Sequence, residues 1–75
     1  MNTKPIHYTA STSSGAVVRR TSSRLYTHAV CYRSIGGETW HASWCGRVDL
    51  AQTMYNRLTA CGHYQDVEIV EAVAA

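Results

Sequence analysis

The feature that most constrains the fold is a pair of strand-like runs joined by two glycines. Residues 25–34 read LYTHAVCYRS and residues 39–45 read TWHASWC, and both runs are rich in aromatic and β-branched side chains. Ile-Gly-Gly-Glu stands between them, and Gly36 and Gly37 are suited to the positive φ angles of a two-residue type I′ turn. The pattern therefore predicts an antiparallel hairpin in the middle of the chain.

The length of this turn decides which side chains share a face of the hairpin. With the two-residue turn, Arg33 lies opposite Trp40 and Ala29 lies opposite Trp44. The small residues on that side favour a covering helix, so we expect the other side to stay partly exposed. A three-residue loop would shift the register by one residue and bring different faces together. We favour the two-residue turn because of the glycine pair. The side then left exposed carries Tyr26, His28, Tyr32, His41 and Ser43.

A first hairpin is predicted before the central one. Residues 6–10 and 16–20 are short strand-forming runs on either side of STSSG, a Ser-rich turn. The segment is also rich in Ser and Thr, and small polar residues provide little incentive to form a core. Residues 1–23 are therefore either a hairpin or a less ordered arm.

A helix and a last strand follow. Asp49 can cap a first helical turn and Gly62 stands where a left-handed C-cap is expected, so the helix should run from about 49 to 61. Its apolar face consists of Leu50, Met54, Leu58 and Cys61. Residues 66–73, DVEIVEAV, alternate as a strand. The order β-β-β-β-α-β predicts an α+β fold, with one small antiparallel sheet and one helix packed on one face, in a single domain of residues 1–75.

Histidines and cysteines raise the question of a metal site or a nucleophile. His28, His41 and Cys45 can share one face of the hairpin, but no Cys-x₂-Cys or His-x₃₋₅-His spacing occurs. Cys45 is followed by Asp49, an acid that disfavours a thiolate, and lacks the glycines of a nucleophile elbow. We therefore expect free thiols, no metal, no cofactor and no enzymatic activity.

The charge distribution points instead to a binding partner. Residues 1–37 carry a net charge of +5 and residues 38–75 a net charge of −3. Such a separation suits a surface that meets an anion or an acidic partner. Arginine and tyrosine are also enriched in interface hot spots. The candidate contact residues are Arg19, Arg20, Arg24, Tyr26, His28, Tyr32, Arg33 and His41.

One stretch carries a resemblance to known proteins. Residues 24–30 read Arg-x-Tyr-Thr-His-Ala-Val, and this strand resembles one in small uncharacterised bacteriophage proteins, where a second strand with a Trp, a helix and a final Val/Ile strand follow. The resemblance implies a role in host takeover or counter-defence in the host cytoplasm. Anti-CRISPR proteins are similar in size and style, though they share no motif; they typically act by covering a surface of a host complex.

We therefore expect a non-enzymatic binding protein that occupies a surface of a host protein or ribonucleoprotein complex. The alternative is direct nucleic-acid binding through the arginine-rich first hairpin. No run approaches the ~20 apolar residues of a membrane helix, so no membrane partner is expected. A free strand edge leaves both a monomer and a homodimer open.

Overall fold

A computed structural model describes residues 4–74, so residues 1–3 of the predicted N-terminal hairpin or arm lie outside it. The described residues form strands β1 (Ile6–Ser11), β2 (Val17–Ser22), β3 (His28–Ser34), β4 (Trp40–Cys45), β5 (Tyr64–Glu71) and β6 (Val73–Ala74), and helix α1 (Val48–Ala60) between β4 and β5. The α+β class is confirmed, as is the position of the helix after four strands.

The strands are divided between two antiparallel sheets, where a single sheet was expected. The first sheet has the order β2-β1-β6 and the second the order β4-β3-β5. The chain changes sheets at Ala72, whose N–H donates to the carbonyl of Thr27 (2.9 Å). Strand β5 pairs with β3, and the short β6 beyond Ala72 pairs with β1. The predicted last strand is therefore broken, and its end ties the first hairpin to the second sheet.

The central hairpin adopts the predicted register. Its opposed pairs are Ala29–Trp44, Cys31–Ala42 and Arg33–Trp40. The turn differs from the expected type I′ geometry, because Gly36 has a φ of 80° whereas Gly37 is not in the positive-φ region. The N–H of Gly37 donates to the carbonyl of Ser34 (2.9 Å) and closes a turn with Gly36 at its third position. The central positions of this turn are Ile35 and Gly36, so the predicted two-residue turn at Gly36-Gly37 does not form, and residues 37–39 lead from the turn to β4.

Helix α1 covers the face of this hairpin that was expected to be exposed. Val30 and Cys45 of the second sheet are buried against Ala51 and Leu58 of the helix. The predicted covering of the Ala29 face by the helix is wrong. Both faces of β3 are apolar enough to be buried, so alternation alone did not show which one the helix would cover.

The first hairpin covers the other face. Ala10 of β1 packs in one cluster with Ala29 and Cys31 of β3, and all three are buried. Trp40 and Trp44 flank this cluster and are partly buried. Small side chains at the contact let the two sheets approach, so the layers run first sheet, second sheet, helix.

The helix lies close to its predicted bounds. It begins at Val48 after Arg47, an extended N-cap residue without a side-chain capping hydrogen bond, and Asp49 lies in its first turn. Gly62 has a φ of 74°, as expected for a residue that follows the helix. The predicted apolar face is only partly correct: Leu58 is buried, but Leu50 and Cys61 are exposed, and Ala51 takes the place of Leu50 in the core.

Candidate functional site

A groove with an arginine on each wall separates helix α1 from the segment that joins β2 to β3. We call it the two-arginine groove. Its volume is about 490 Å³. One wall is formed by the segment before β3, the floor by the end of β4, and the other wall by helix α1. The lining residues are Arg24, Leu25 and Tyr26 on the first wall, Ser43, Trp44, Cys45 and Gly46 on the floor, and Leu50, Thr53, Met54 and Arg57 on the helix wall. Leu25 is 78% exposed and Leu50 is 46% exposed. The groove therefore presents aliphatic side chains to solvent between two cations.

A buried tyrosine holds the wall opposite the helix in place. The hydroxyl of Tyr8 donates to the carbonyl of Arg24 (2.7 Å) and accepts from the N–H of Tyr26 (3.1 Å). Its ring meets that of Tyr26 edge to face, with centroids 5.3 Å apart, and Trp44 lies 6.1 Å from both rings. Tyr8 was not among the residues predicted from the sequence, although its alternation with Ala10 marks it as an inward-facing residue of β1.

Positive charge surrounds Tyr26. The Arg20 guanidinium lies over its ring, 5.6 Å from the centroid, which is a cation–π distance. A hydrogen bond from the Ser22 side chain and the charges of Arg20 and Arg24 lower the pKa of the Tyr26 phenol. Three of the predicted contact residues, Arg20, Arg24 and Tyr26, are thus together in space.

Two ion pairs occur in the described part of the chain, and neither lies in the groove. They join Arg33 to Asp66 and Arg47 to Asp49. The remaining cations among residues 4–74 have no carboxylate within 4.0 Å: Lys4, Arg19, Arg20, Arg24 and Arg57. None of the lining residues of the two-arginine groove is acidic. Its electrostatic potential is therefore not cancelled locally.

Arg33 is occupied by contacts within the protein. Its guanidinium lies 5.2 Å from the ring centroid of Trp40, and its Nε donates to Oδ2 of Asp66 (3.0 Å). A bulge in β5 opposite Tyr32 places Asp66 there, with a φ of 55° that aspartate tolerates better than most residues. These contacts line a second depression of about 510 Å³ with Ser13, Ser14, Val67 and Glu68.

Glu68 closes the far end of that second depression. Its carboxylate accepts from the backbone N–H of Ser13 (2.9 and 3.2 Å to its two oxygens) and from the Ser13 hydroxyl (3.0 Å). The turn of the first hairpin is thereby attached to β5. Because its polar groups pair with one another, the second depression has a structural role in joining the two sheets.

The remaining candidates lie apart from the groove. His41 stacks on Tyr32 with centroids 5.5 Å apart, and Tyr32 meets Tyr64 edge to face, on the helix-covered face of the second sheet. Nδ1 of His28 shares a hydrogen bond with the hydroxyl of Thr27 (2.9 Å). Arg19 lies opposite Thr9 and, by alternation with Arg20, on the outer face of the first sheet. The structure therefore brings Arg20, Arg24 and Tyr26 together and places the other five predicted residues elsewhere.

Two of the three cysteine thiols are buried. Burial raises the pKa of Cys45, and burial together with the charge of Glu68 raises the pKa of Cys31 to about 11, so both thiols remain protonated near neutral pH. Cys61 is exposed, and none of the three cysteines forms a disulfide. No group of three or more His, Cys, Asp or Glu side chains in residues 4–74 is arranged to hold a metal ion.

Comparisons with known proteins identify no relative. No family model, no curated protein and no solved structure matches the chain. Within residues 4–74, the helix is too short and too polar to cross a bilayer. The geometry and charge of the two-arginine groove are therefore the features that bear on function.

Proposed function

We propose that the chain is a binding protein without catalytic activity, which occupies a surface of a partner macromolecule through the two-arginine groove. One observation carries the proposal: Arg24 and Arg57 have no acidic partner, and they flank exposed leucines above a floor that contains Trp44. Arginine and tryptophan are the residue types on which interface hot spots are most often built. An apolar centre with a charged rim is also the usual anatomy of a protein interface.

The partner that we propose is a host protein or ribonucleoprotein complex in the cytoplasm of an infected bacterium. The support for this source is the resemblance of residues 24–30 to a strand of small phage proteins. Two of those residues, Arg24 and Tyr26, line the two-arginine groove. An inhibitor of the anti-CRISPR kind would act by covering a functional surface of such a complex.

The experiment is affinity capture from a lysate of the natural bacterial host with two matched charge variants. The first, Arg24→Glu with Arg57→Glu, reverses both groove cations. The second, Lys4→Glu with Ser11→Glu and Thr39→Glu, changes the net charge equally at exposed positions outside the groove. We expect the wild type and the second variant to recover one stoichiometric complex and the first variant to lose it. Recovery of no complex by the wild type would contradict the proposal.

Nucleic acid is the second candidate partner. Arg19 and Arg20 carry no ion pair, and Arg19 shares the outer face of the first sheet with the hydroxyls of Thr9 and Thr21. Arg20, however, lies on the inner face against Tyr26, so the two adjacent arginines do not form one basic stripe. Oligonucleotide binding that falls steeply with salt and is removed by Arg19→Ala and Arg20→Ala would support this candidate. No binding at low salt would eliminate it.

A further inference from the structure

We infer that the two-arginine groove binds a peptide segment of the partner in which an apolar side chain is flanked by carboxylates. The inference rests on the proposed function and names the chemistry of the segment that is recognised. It follows from the shape and lining of the groove and from its two arginines, which have no acidic partner. It also follows from the contacts that other residues of the protein already make with the ring of Tyr26.

The shape suits an inserted side chain. Two walls and a floor enclose about 490 Å³, within the ~300–1,000 Å³ typical of ligand pockets. Leu25 and Leu50 come from different elements and both line the groove as exposed aliphatic residues, and Met54 adds a side chain that adapts to different shapes. An apolar side chain that enters the groove would remove part of this aliphatic surface from water.

The charges suit carboxylates on either side of that apolar group. Arg24 and Arg57 belong to different walls, and no acidic residue lines the groove. A guanidinium binds a carboxylate through two parallel N–H donors, which gives both attraction and orientation. A segment with an acid on each side of its apolar residue can therefore pair with Arg24 and Arg57 at the same time.

The aromatic rings favour a peptide over a nucleic acid. Base stacking requires a free ring face, but Tyr26 is packed by Tyr8, by Trp44 and by the Arg20 guanidinium. The exposed large apolar residues of the groove are Leu25 and Leu50, and both are aliphatic. Leucine and methionine side chains offer contact to an apolar side chain and no platform for a base.

A second copy of the chain is a poor source of such a segment. Asp49 and Asp66 are in ion pairs, and Glu68 binds the turn of the first hairpin. The acids that remain among residues 4–74 are Glu38 and Glu71, and they lie in separate parts of the fold. The partner segment is therefore expected to belong to another protein.

The test begins with selection from a displayed library of random 12-residue peptides on the wild-type protein. We expect the enriched peptides to share an apolar residue with Asp or Glu on both sides. Fluorescence anisotropy of the best labelled peptide then compares the two charge variants. Reversal at Arg24 and Arg57 should weaken binding by about tenfold or more, whereas the control changes at Lys4, Ser11 and Thr39 should not. Replacing the acids of the peptide by Gln or Asn should weaken binding similarly.

Tryptophan emission locates the bound peptide. Trp44 lies on the groove floor and Trp40 lines the second depression, so a Trp40→Phe variant reports on the groove alone. We expect the emission of Trp44 to change on titration with the selected peptide. Circular dichroism of each variant checks that it is folded, and the anisotropy measurement on the wild type stands independently of the Trp40→Phe variant.

Several outcomes would overturn the inference. These are enrichment of peptides without acids, equal affinity for the Gln and Asn peptide, competition by a single-stranded oligonucleotide at the groove, or a concentration-dependent dimer that the groove reversal abolishes. Failure of the inference is distinguishable from failure of the proposed function. If capture of a host complex survives reversal of Arg24 and Arg57, the protein binds its partner through another surface. If the groove binds the selected peptide but no host complex is captured, the inference about the peptide stands and the proposed function fails.

Discussion

Replacing Ala10 with leucine tests the packing of the first hairpin on the second sheet. Ala10 is 1% exposed and packs in one cluster with Ala29 and Cys31, each 0% exposed. An isobutyl group in place of a methyl group would have to push the two sheets apart or displace neighbouring side chains. Overpacking of this kind costs about 1–3 kcal/mol of unfolding free energy.

Urea denaturation followed by circular dichroism measures the effect. With a slope of about 1 kcal/mol per molar urea for a chain of this size, the midpoint should fall by roughly 1–3 M. Ser11→Leu is the matched control, because Ser11 is the next residue of the same strand and is exposed. If Ala10→Leu destabilises the protein no more than the control does, the face-to-face packing of the two sheets is refuted.

Three further predictions concern a tertiary contact, a helix end and the thiols. Glu68→Gln should lower the free energy of unfolding by about 1 kcal/mol, because the hydrogen bonds of Ser13 lose a charged acceptor. A double-mutant cycle with Ser13→Ala, measured by urea denaturation, should show coupling between the two residues, and purely additive losses would argue against the contact. Gly62→Ala should lower the free energy of unfolding by about 1 kcal/mol, because a φ of 74° is strained for alanine. The added Cβ would meet no neighbouring atom, so backbone strain is the only cost, and an unchanged midpoint of urea denaturation would contradict this. In timed alkylation at pH 8, Cys61 should react first, and rapid labelling of Cys31 in the folded protein would refute its burial. Because the pKa of Cys31 is raised from 9.0 to about 11, its neutral thiol stabilises the fold below pH 9, and this contribution is lost as the pH rises towards 11.

Local signals predicted the elements of the fold well. The predicted register of the central hairpin is confirmed, although the chain turns at Ile35 and Gly36 and not at the predicted glycine pair. Gly62 marked the end of the helix to within one residue. The helix end is predictable because capping depends on residues close in sequence.

The covering of the hairpin faces could not be predicted in the same way. Both faces of β3 carry side chains that tolerate burial, Ala29 and Cys31 on one and Val30 and Tyr32 on the other. Alternation identifies two faces without saying which partner covers each. The outcome depends on the first hairpin, which competes with the helix for the same sheet and takes the face with the smaller side chains.

The candidate site shows the same division. Arg24 and Tyr26 stand out in the sequence as interface residue types and line the two-arginine groove. Leu25 and Arg57 gave no such signal, because their importance comes from their position across the groove. Arg33 is also a residue type typical of interfaces, but its side chain is engaged by Asp66. That ion pair depends on a bulge in β5, which the sequence did not predict.

The sequence by itself determined the class, the order of the elements and the end of the helix. Each of these depends on backbone preferences and on the period of apolar residues over a few positions. Only the tertiary structure decided that a second sheet covers Ala29 and that Arg24 and Arg57 face a common groove. Those features depend on how the volumes and charges of side chains from distant segments fit together. The free energy of such contacts is defined only once the layers have assembled.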